Sequence, residues 1–196
     1  MAHRASRPLI TRASKTQFIY RAAMPSSQYE FDSPFFRTAL GRFATGVTIV
    51  TTEGSGGTPV GLTVSSFNSV SLTPPLVLWS LSNASSSFEA FQQCSHYTIH
   101  VLSADQIDLA SRFARLPPAE RFDAVPLGKA PGGALMLDLP VAAWFECKQN
   151  AIYPAGDHVI MVGEVIHCGF SKVPPLVFHA GGFDLTPLSD ATKTVS

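Results

Sequence analysis

A chain of 196 residues, 45% hydrophobic and 14% charged, is long and apolar enough to bury one substantial core, which excludes disorder for its bulk. Its zero net charge is unevenly spread: Arg4, Arg7, Arg12, Lys15 and Arg21 give residues 1–24 a charge of +5, and 9 basic against 14 acidic residues leave −5 on the rest. A −5 body lacks the basic face of a nucleic-acid binder, and no apolar run reaches the length of a membrane span.

Residues 1–30 are expected to be a basic extension outside the fold. Their acid-free start has the composition of a transit peptide but lacks the apolar segment of a secretory signal; a disordered tail, or a start at Met24, is the simpler reading. One domain is expected over residues 31–188, followed by a short tail, 189–196. "DSPFFRTALGRFATG" predicts a helix capped by Ser33, with Pro34 at its first position, an apolar stripe of Phe36, Ala39, Leu40 and Phe43, and a stop at Gly46. "VTIVTTE" predicts a strand, and the glycine turn "GSGGT" predicts that residues 47–53 and 58–71 form a hairpin. "PLVLWSLS" is a further apolar strand.

"ASSSFEAFQQC" predicts a short helix and "HYTIHVL" a strand. "SADQIDLASRFAR" has Ser103 and Gln106 at capping-box spacing, ahead of an amphipathic helix carrying Ile107, Leu109, Ala110 and Phe113. Residues 116–135 read as a loop. "AAWFECKQNAIYP", "HVIMVGEVIHCGF" and "PLVFHAGGFDLT" read as three strands. Many strands around two or three short helices predict a mainly β fold, a closed antiparallel barrel.

Cys94, Cys147 and Cys168 are odd in number and form no CxxC, which points to no disulfide framework, no zinc site and a reducing, cytoplasmic compartment. His96, His100 and His167 lie in strands without metal-ligand spacing; Trp79 and Trp144 read as core or interface aromatics. There is no GxGxxG, P-loop, HExxH or GxSxG, so standard nucleotide-fold and hydrolytic machinery is not visible. What stands out is "GLTVSSFNSVSLTPPLV" (61–77), a β pattern on Leu62, Val64, Phe67 and Val70 whose other positions are Thr63, Ser65, Ser66, Asn68, Ser69, Ser71 and Thr73, in a stretch without charge from Gly54 to Phe88. Ser82–Ser87 form a second hydroxyl cluster ahead of a helix. Short neutral donors and acceptors along a strand suit an uncharged ring system, and Ser85–Ser87 suit a phosphate. Equally, strands favour Thr and Ser in any case, and the serines serve as helix caps.

The run "FRTALGRFATGVTIVTT…GLTVSSFNSVSLTPPLVLWSL", with "FAR" at 113–115, "FEC" at 145–147, "GDHVIMVGEV" at 156–165 and "PLVFHAGGF" at 175–183, resembles the short-chain flavin reductases, the small reductase components of two-component flavin monooxygenases. The resemblance covers roughly residues 31–188. It implies an FMN-binding split β-barrel that forms a homodimer and holds FMN or FAD near the dimer interface. It places Thr63, Ser65 and Ser66 along the isoalloxazine ring, with Ala44, Thr45, Gly46 and Val47 flanking it. Ser80, Leu81, Ser82, Ser85 and Ser86 take the phosphate and ribityl chain, and the helix end at Phe113 abuts the ring. Where the family often has a basic residue or Thr-His, this chain has Ser87-Phe88-Glu89.

His158, in "GDH", is implied to meet the nicotinamide nucleotide, as a catalytic positioning group rather than a base, with Asp157 shaping the turn. His179, Gly181, Gly182 and Phe183 are assigned to the same nicotinamide side, against the alternative of a ligand-free β-bulge. Arg42 reads as a solvated helix residue. The implied activity is hydride transfer from NADH or NADPH to FMN or FAD; no arginine cluster marks a 2′-phosphate, which favours NADH. The partner would be a monooxygenase reached through diffusible reduced flavin. The alternatives are a pyridoxamine-phosphate-oxidase-like enzyme with tightly bound FMN, and a non-catalytic flavin-binding module.

Overall fold

The computed structural model describes residues 31–184. The basic N-terminal extension (1–30), residues 185–188 and the C-terminal tail (189–196) lie outside the described residues. The chain divides after Leu40. Helix α1 (Ser33–Leu40) belongs to the first part and has no buried residue. Its cap is Asp32, not Ser33: the Phe35 N–H donates to Asp32 Oδ1 at 2.9 Å. A carboxylate at the cap also meets the positive end of the helix dipole, an advantage a serine lacks. Phe31 and Phe36 stack at 5.3 Å, the hydrophobic staple that accompanies such a cap. The helix ends at Leu40, six residues before the expected stop, and Gly46 instead belongs to a strand.

The second part begins at Gly41. It holds β1 (Thr45–Gly46), β2 (Thr48–Glu53), β3 (Pro59–Val64), β4 (Asn68–Leu72), β5 (Pro75–Ser82), α2 (Phe88–Gln93), β6 (His96–Val101), α3 (Ile107–Arg115), β7 (Leu127–Lys129), β8 (Leu135–Leu137), β9 (Ala143–Ala155), β10 (His158–Phe170), β11 (Val177–His179) and β12 (Gly182–Asp184). Seven strands form one antiparallel sheet in the order β3-β2-β6-β9-β10-β5-β4. Its two edges, β3 and β4, are separated in sequence by residues 65–67 alone. Seven flat strands would hold those edges roughly 29 Å apart, whereas the connecting residues reach at most about 14 Å. The sheet therefore curls until its edges meet, and the expected antiparallel barrel results.

Two core clusters follow from this closure. Val50, Trp79, Phe91, Tyr97, Ile99 and Met161 fill the barrel, while Val47, Ile49, Leu102, Ala110, Phe113, Leu137 and Leu176 pack between its wall and the outer elements. Strand β2 sends Ile49 and Val50 to opposite clusters, so Thr48 to Thr52 are buried on both faces. Trp79 lies in the core, 0% exposed, and Trp144 is half-buried beside the outer cluster. Gly163 marks a close approach inside the barrel: a Cβ there would overlap the Tyr97 hydroxyl, which sits against the backbone.

The expected strand over 58–71 is two strands on opposite sheet edges, because the chain must cross the seam at 65–67. The expected loop over 116–135 contains a 3₁₀ turn at Pro118–Glu120 and strand β7, paired to β8. That hairpin is pinned to the barrel wall by buried polar groups. Thr51 Oγ1 donates to the Leu135 carbonyl, the Leu137 N–H donates to His100 Nε2, and the Gly132 and Ala134 N–H groups donate to the Glu146 carboxylate. The last expected strand is a tight hairpin, β11–β12, turning at Ala180 and Gly181, both with positive φ, so the glycines form a turn rather than a β-bulge. The capping box of α3 is half-formed: Gln106 Oε1 accepts from the Ser103 N–H, while the Ser103 hydroxyl turns to Asp105.

Candidate active site

Five separate stretches meet along one seam on the outside of the barrel. β1 pairs with β11, Thr45 opposite Phe178 and Gly46 opposite Val177. Thr45 and Gly46, the middle of the Ala44–Val47 stretch, thus share a small three-stranded sheet with His179, Gly182 and Phe183, and Gly181 sits at its hairpin turn. From there Thr48 faces Val64 across the β2–β3 ladder, and its hydroxyl donates to the Val64 carbonyl at 3.0 Å. Ser65 and Ser66 follow directly, at the point of closure. Ser66 Oγ accepts from the Ser80 N–H at 2.9 Å and donates to the Ser80 carbonyl at 3.4 Å, so one side chain takes the place of a ladder rung.

Strand β5 then continues the seam. Its alternation buries Val77, Trp79 and Leu81 and turns Ser80 and Ser82 to the outer face. Directly opposite residues on paired strands share a face, and Ser82 lies opposite His158. The His158 imidazole Nδ1 donates to Asp157 Oδ1 at 2.8 Å, and its side chain is 43% exposed. Asp157 therefore shapes the turn and also touches the ring. Beyond Ser82, Asn83 bridges to the same turn through its backbone N–H to the Asp157 carbonyl and its amide to the Gly156 carbonyl. Asn83 has no special sequence signal; only the β5–β10 register brings it there.

Several expected site residues spend their side chains elsewhere. Thr63 faces α3 and donates to the Ala110 carbonyl at 2.7 Å, so of the "TVSS" stretch Ser65 and Ser66 lie on the seam. Phe113 is 1% exposed and packs edge-on against Phe122 at 4.9 Å, which makes it a core anchor. Val47 and Leu81 likewise lie in the two cores, so only their backbones border the seam. Ser85 Oγ accepts from the Ser87 N–H and Ser82 Oγ from the Ala84 N–H, which are turn-stabilising roles. Ser65 and Ser86 are exposed. Arg42 is exposed as expected.

From Ser65 to Ser86 the seam carries no charged side chain. No charged residue occurs from Gly54 to Phe88, and Glu89 and Asp157 are the acidic residues bordering the Ser80–Ser87 stretch in sequence and in space respectively. The buried hydroxyls of Thr45 and Ser87, near its two ends, have no hydrogen-bond partner among the described residues. Such a donor set fits a ligand rich in carbonyl, hydroxyl and ring nitrogen groups, as a flavin is. Among the described residues no group of His, Cys, Asp and Glu could hold a metal. Burial pushes the Cys147 thiol up to about 12, with Glu146 adding to the effect, and burial also raises Cys94, so neither is a ready nucleophile. No helix in the described residues is long and apolar enough to cross a membrane.

Clefts of about 370 and 400 Å³ lie at the other end of β2, around Cys94, Gln93 and Glu53; the second touches the seam only at Ser86. Convergence of sequence-distant polar groups, rather than concavity within one chain, is what marks the seam as the candidate site.

Known proteins resemble this chain over the same span. The description "Flavin reductase like domain" matches residues 40–186. The chain is 47% identical to FMN reductase (NADH) SmoA of Agrobacterium fabrum over 152 residues, covering 78% of this chain and 85% of that protein. It is 38% identical to the reductase component of the flavin-dependent trigonelline monooxygenase of Acinetobacter baylyi, covering 82% of this chain but only 51% of that longer relative. Among solved structures, the NADH:FAD oxidoreductase SgcE6 of Streptomyces globisporus, in complex with NAD and FAD fragments, superposes with a TM-score of 0.74 at 34% identity, covering 81% of this chain and 96% of that one. On fold, motif order and these likenesses together, the chain belongs to the flavin reductase-like domain family, with the split-barrel fold of that family.

Proposed function

We propose that this chain is an NAD(P)H:flavin oxidoreductase that transfers a hydride from NADH to FMN or FAD and supplies reduced flavin to a partner monooxygenase. The observation that carries this reading is the continuous seam from Ala44–Gly46 through the uncharged Ser65, Ser66 and Ser80–Ser86 to His158. Hydride transfer needs two ring systems held face to face, not a nucleophile or a strong base. The seam offers orientation without charge. Ser65, Ser66, Thr45 and Gly46 would border the flavin ring, Ser86 would offer its hydroxyl to the phosphate, and Ser82 and Ser85 would hold the loop that presents it. His158, with His179, Gly181, Gly182 and Phe183, would border the nicotinamide. The hydride-accepting chemistry is the flavin's own; the chain's residues bind, orient and exclude water.

Two further features of this reading concern assembly and location. Leu72 is 92% exposed and Phe170 87%, and edge strand β4 is uncharged, which suits burial against a second copy of the chain. The free cysteines suit a reducing, cytoplasmic setting. The domain spans 31–188 in this proposal, and residues 1–24 are dispensable for it.

The test is an absorbance assay at the nicotinamide band with NADH or NADPH paired in turn with FMN or FAD. Sustained oxidation with free flavin in excess supports the proposal. A protein that holds flavin but leaves NADH untouched would make it a flavin-binding module instead.

A further inference from the structure

We propose that Asn83 is a positioning residue that locks the His158 turn to the serine loop, so that the nicotinamide side of the site is set through the flavin-phosphate side. The inference rests on the assignment of His158 to the nicotinamide made above. The β5–β10 ladder ends at the Ser82–His158 pair. Beyond that pair the two chains would be free to splay, since Ser82 enters a turn of its own and Gly156 and Asp157 form the tip of the β9–β10 hairpin. Among the described residues Asn83 braces them. The Asn83 backbone N–H donates to the Asp157 carbonyl at 3.0 Å and its side-chain amide donates to the Gly156 carbonyl at 3.3 Å.

Both carbonyls of the hairpin tip are thereby held from the serine loop, and the next side chain along, Asp157, holds the His158 imidazole. The requirement is chemical. The group must donate from a short side chain to a backbone carbonyl, which an asparagine amide does and an aspartate carboxylate does not. Because Gly156 sits at φ +65, the tip has a conformation that its own ladder does not dictate alone, and the bond to Asn83 is an external brace. The order of the Ser82–Ser86 loop is thereby passed to the tip that carries His158.

The experiment is a double-mutant cycle in full-length enzyme, following NADH oxidation with FMN for wild type, Asn83→Ala, His158→Ala and the double variant. Asn83→Ala is expected to raise the KM for NADH about three- to tenfold, the scale of losing one hydrogen bond that orients a binding group. The KM for FMN should stay within about twofold, because the backbone N–H bond survives. In the His158→Ala background the same change should have little further effect on NADH, since Asn83 acts through that turn. A merely structural residue would instead lower the thermal midpoint and act equally in both backgrounds, and that result overturns the proposal. Unchanged NADH kinetics in Asn83→Ala, with His158→Ala impaired, overturns the role of Asn83 while leaving that of His158. An unimpaired His158→Ala overturns both.

Discussion

Ser66 and Ser80 close the barrel: a single hydroxyl both accepts from and donates to the backbone of a residue fourteen positions away, at the point where the chain passes from one sheet edge to the other. It is a strut under the proposed flavin site as much as a part of it. Ser66→Ala removes the partner of the half-buried Ser80 N–H, and unfolding free energy should fall by about 1–3 kcal/mol. Flavin affinity should fall with it, because Ser65 loses its support. Urea denaturation alongside flavin titration checks this; unchanged stability would mean that water substitutes for the hydroxyl and the seam closes without it.

His158 is placed to orient rather than to exchange protons. His158→Ala should raise the KM for NADH and lower kcat, with flavin affinity nearly intact. His158→Asn, which keeps a donor toward Asp157, should recover part of the loss. A defect confined to flavin binding would move His158 to the other side of the site, which its position opposite Ser82 makes the sharpest alternative.

Ser85 and Ser86 should separate on mutation. Ser85 Oγ accepts from the Ser87 N–H, whereas Ser86 is exposed. Ser85→Ala is expected to cost mainly stability, about 1 kcal/mol for a lost turn hydrogen bond. Ser86→Ala is expected to weaken binding of FMN by about 1–3 kcal/mol, the range for a hydrogen bond to a charged group, and to weaken that of riboflavin less. Equal affinities of Ser86→Ala and wild type for FMN would remove Ser86 from the phosphate site.

His100 gives the protein an acid-sensitive pin. Burial lowers its pKa from 6.5 to about 4, although its bond to the Ile49 carbonyl opposes the shift. The folded state keeps the ring neutral, with Nδ1 donating to Ile49 and Nε2 accepting from Leu137. Between about pH 6.5 and 4 only the unfolded chain takes up this proton, so the stabilisation is complete above that window and is lost as pH falls through it. The full loss corresponds to roughly 3 kcal/mol. His100→Gln should be less stable at pH 7 but should show a flatter decline from pH 7 to 4.5, measured by urea unfolding. An identical decline in both proteins would place the acid sensitivity elsewhere. Glu146 acts lower: burial raises its pKa, but the Ala134 and Gly132 N–H groups and His167 outweigh that and hold it below the ordinary carboxylate range.

Much was decided within short windows of the chain. The β-branched run "VTIVTTE", the strand "HYTIHVL" and the amphipathic α3 form where local pattern places them, because side-chain period and propensity act over a few residues. The order of the family motifs carried the barrel and the kind of site. Local pattern failed wherever a distant group outbid it. The hydroxyl-rich 58–71 stretch breaks at residues 65–67 because closure brings Ser66 to Ser80. Residues 116–135 gain a strand because Thr51 and Glu146 offer buried partners to that segment's backbone and His100 holds Leu137 in the strand it pairs with. Thr63 faces α3 and Phe113 lies in the core because the strand faces were set by the whole sheet. Asn83 meets the His158 turn only through the β5–β10 register. The residue types of the site are thus written in the sequence, but which hydroxyls remain on the seam was decided by long-range hydrogen bonds, since a buried backbone group must find a partner wherever the closed barrel provides one.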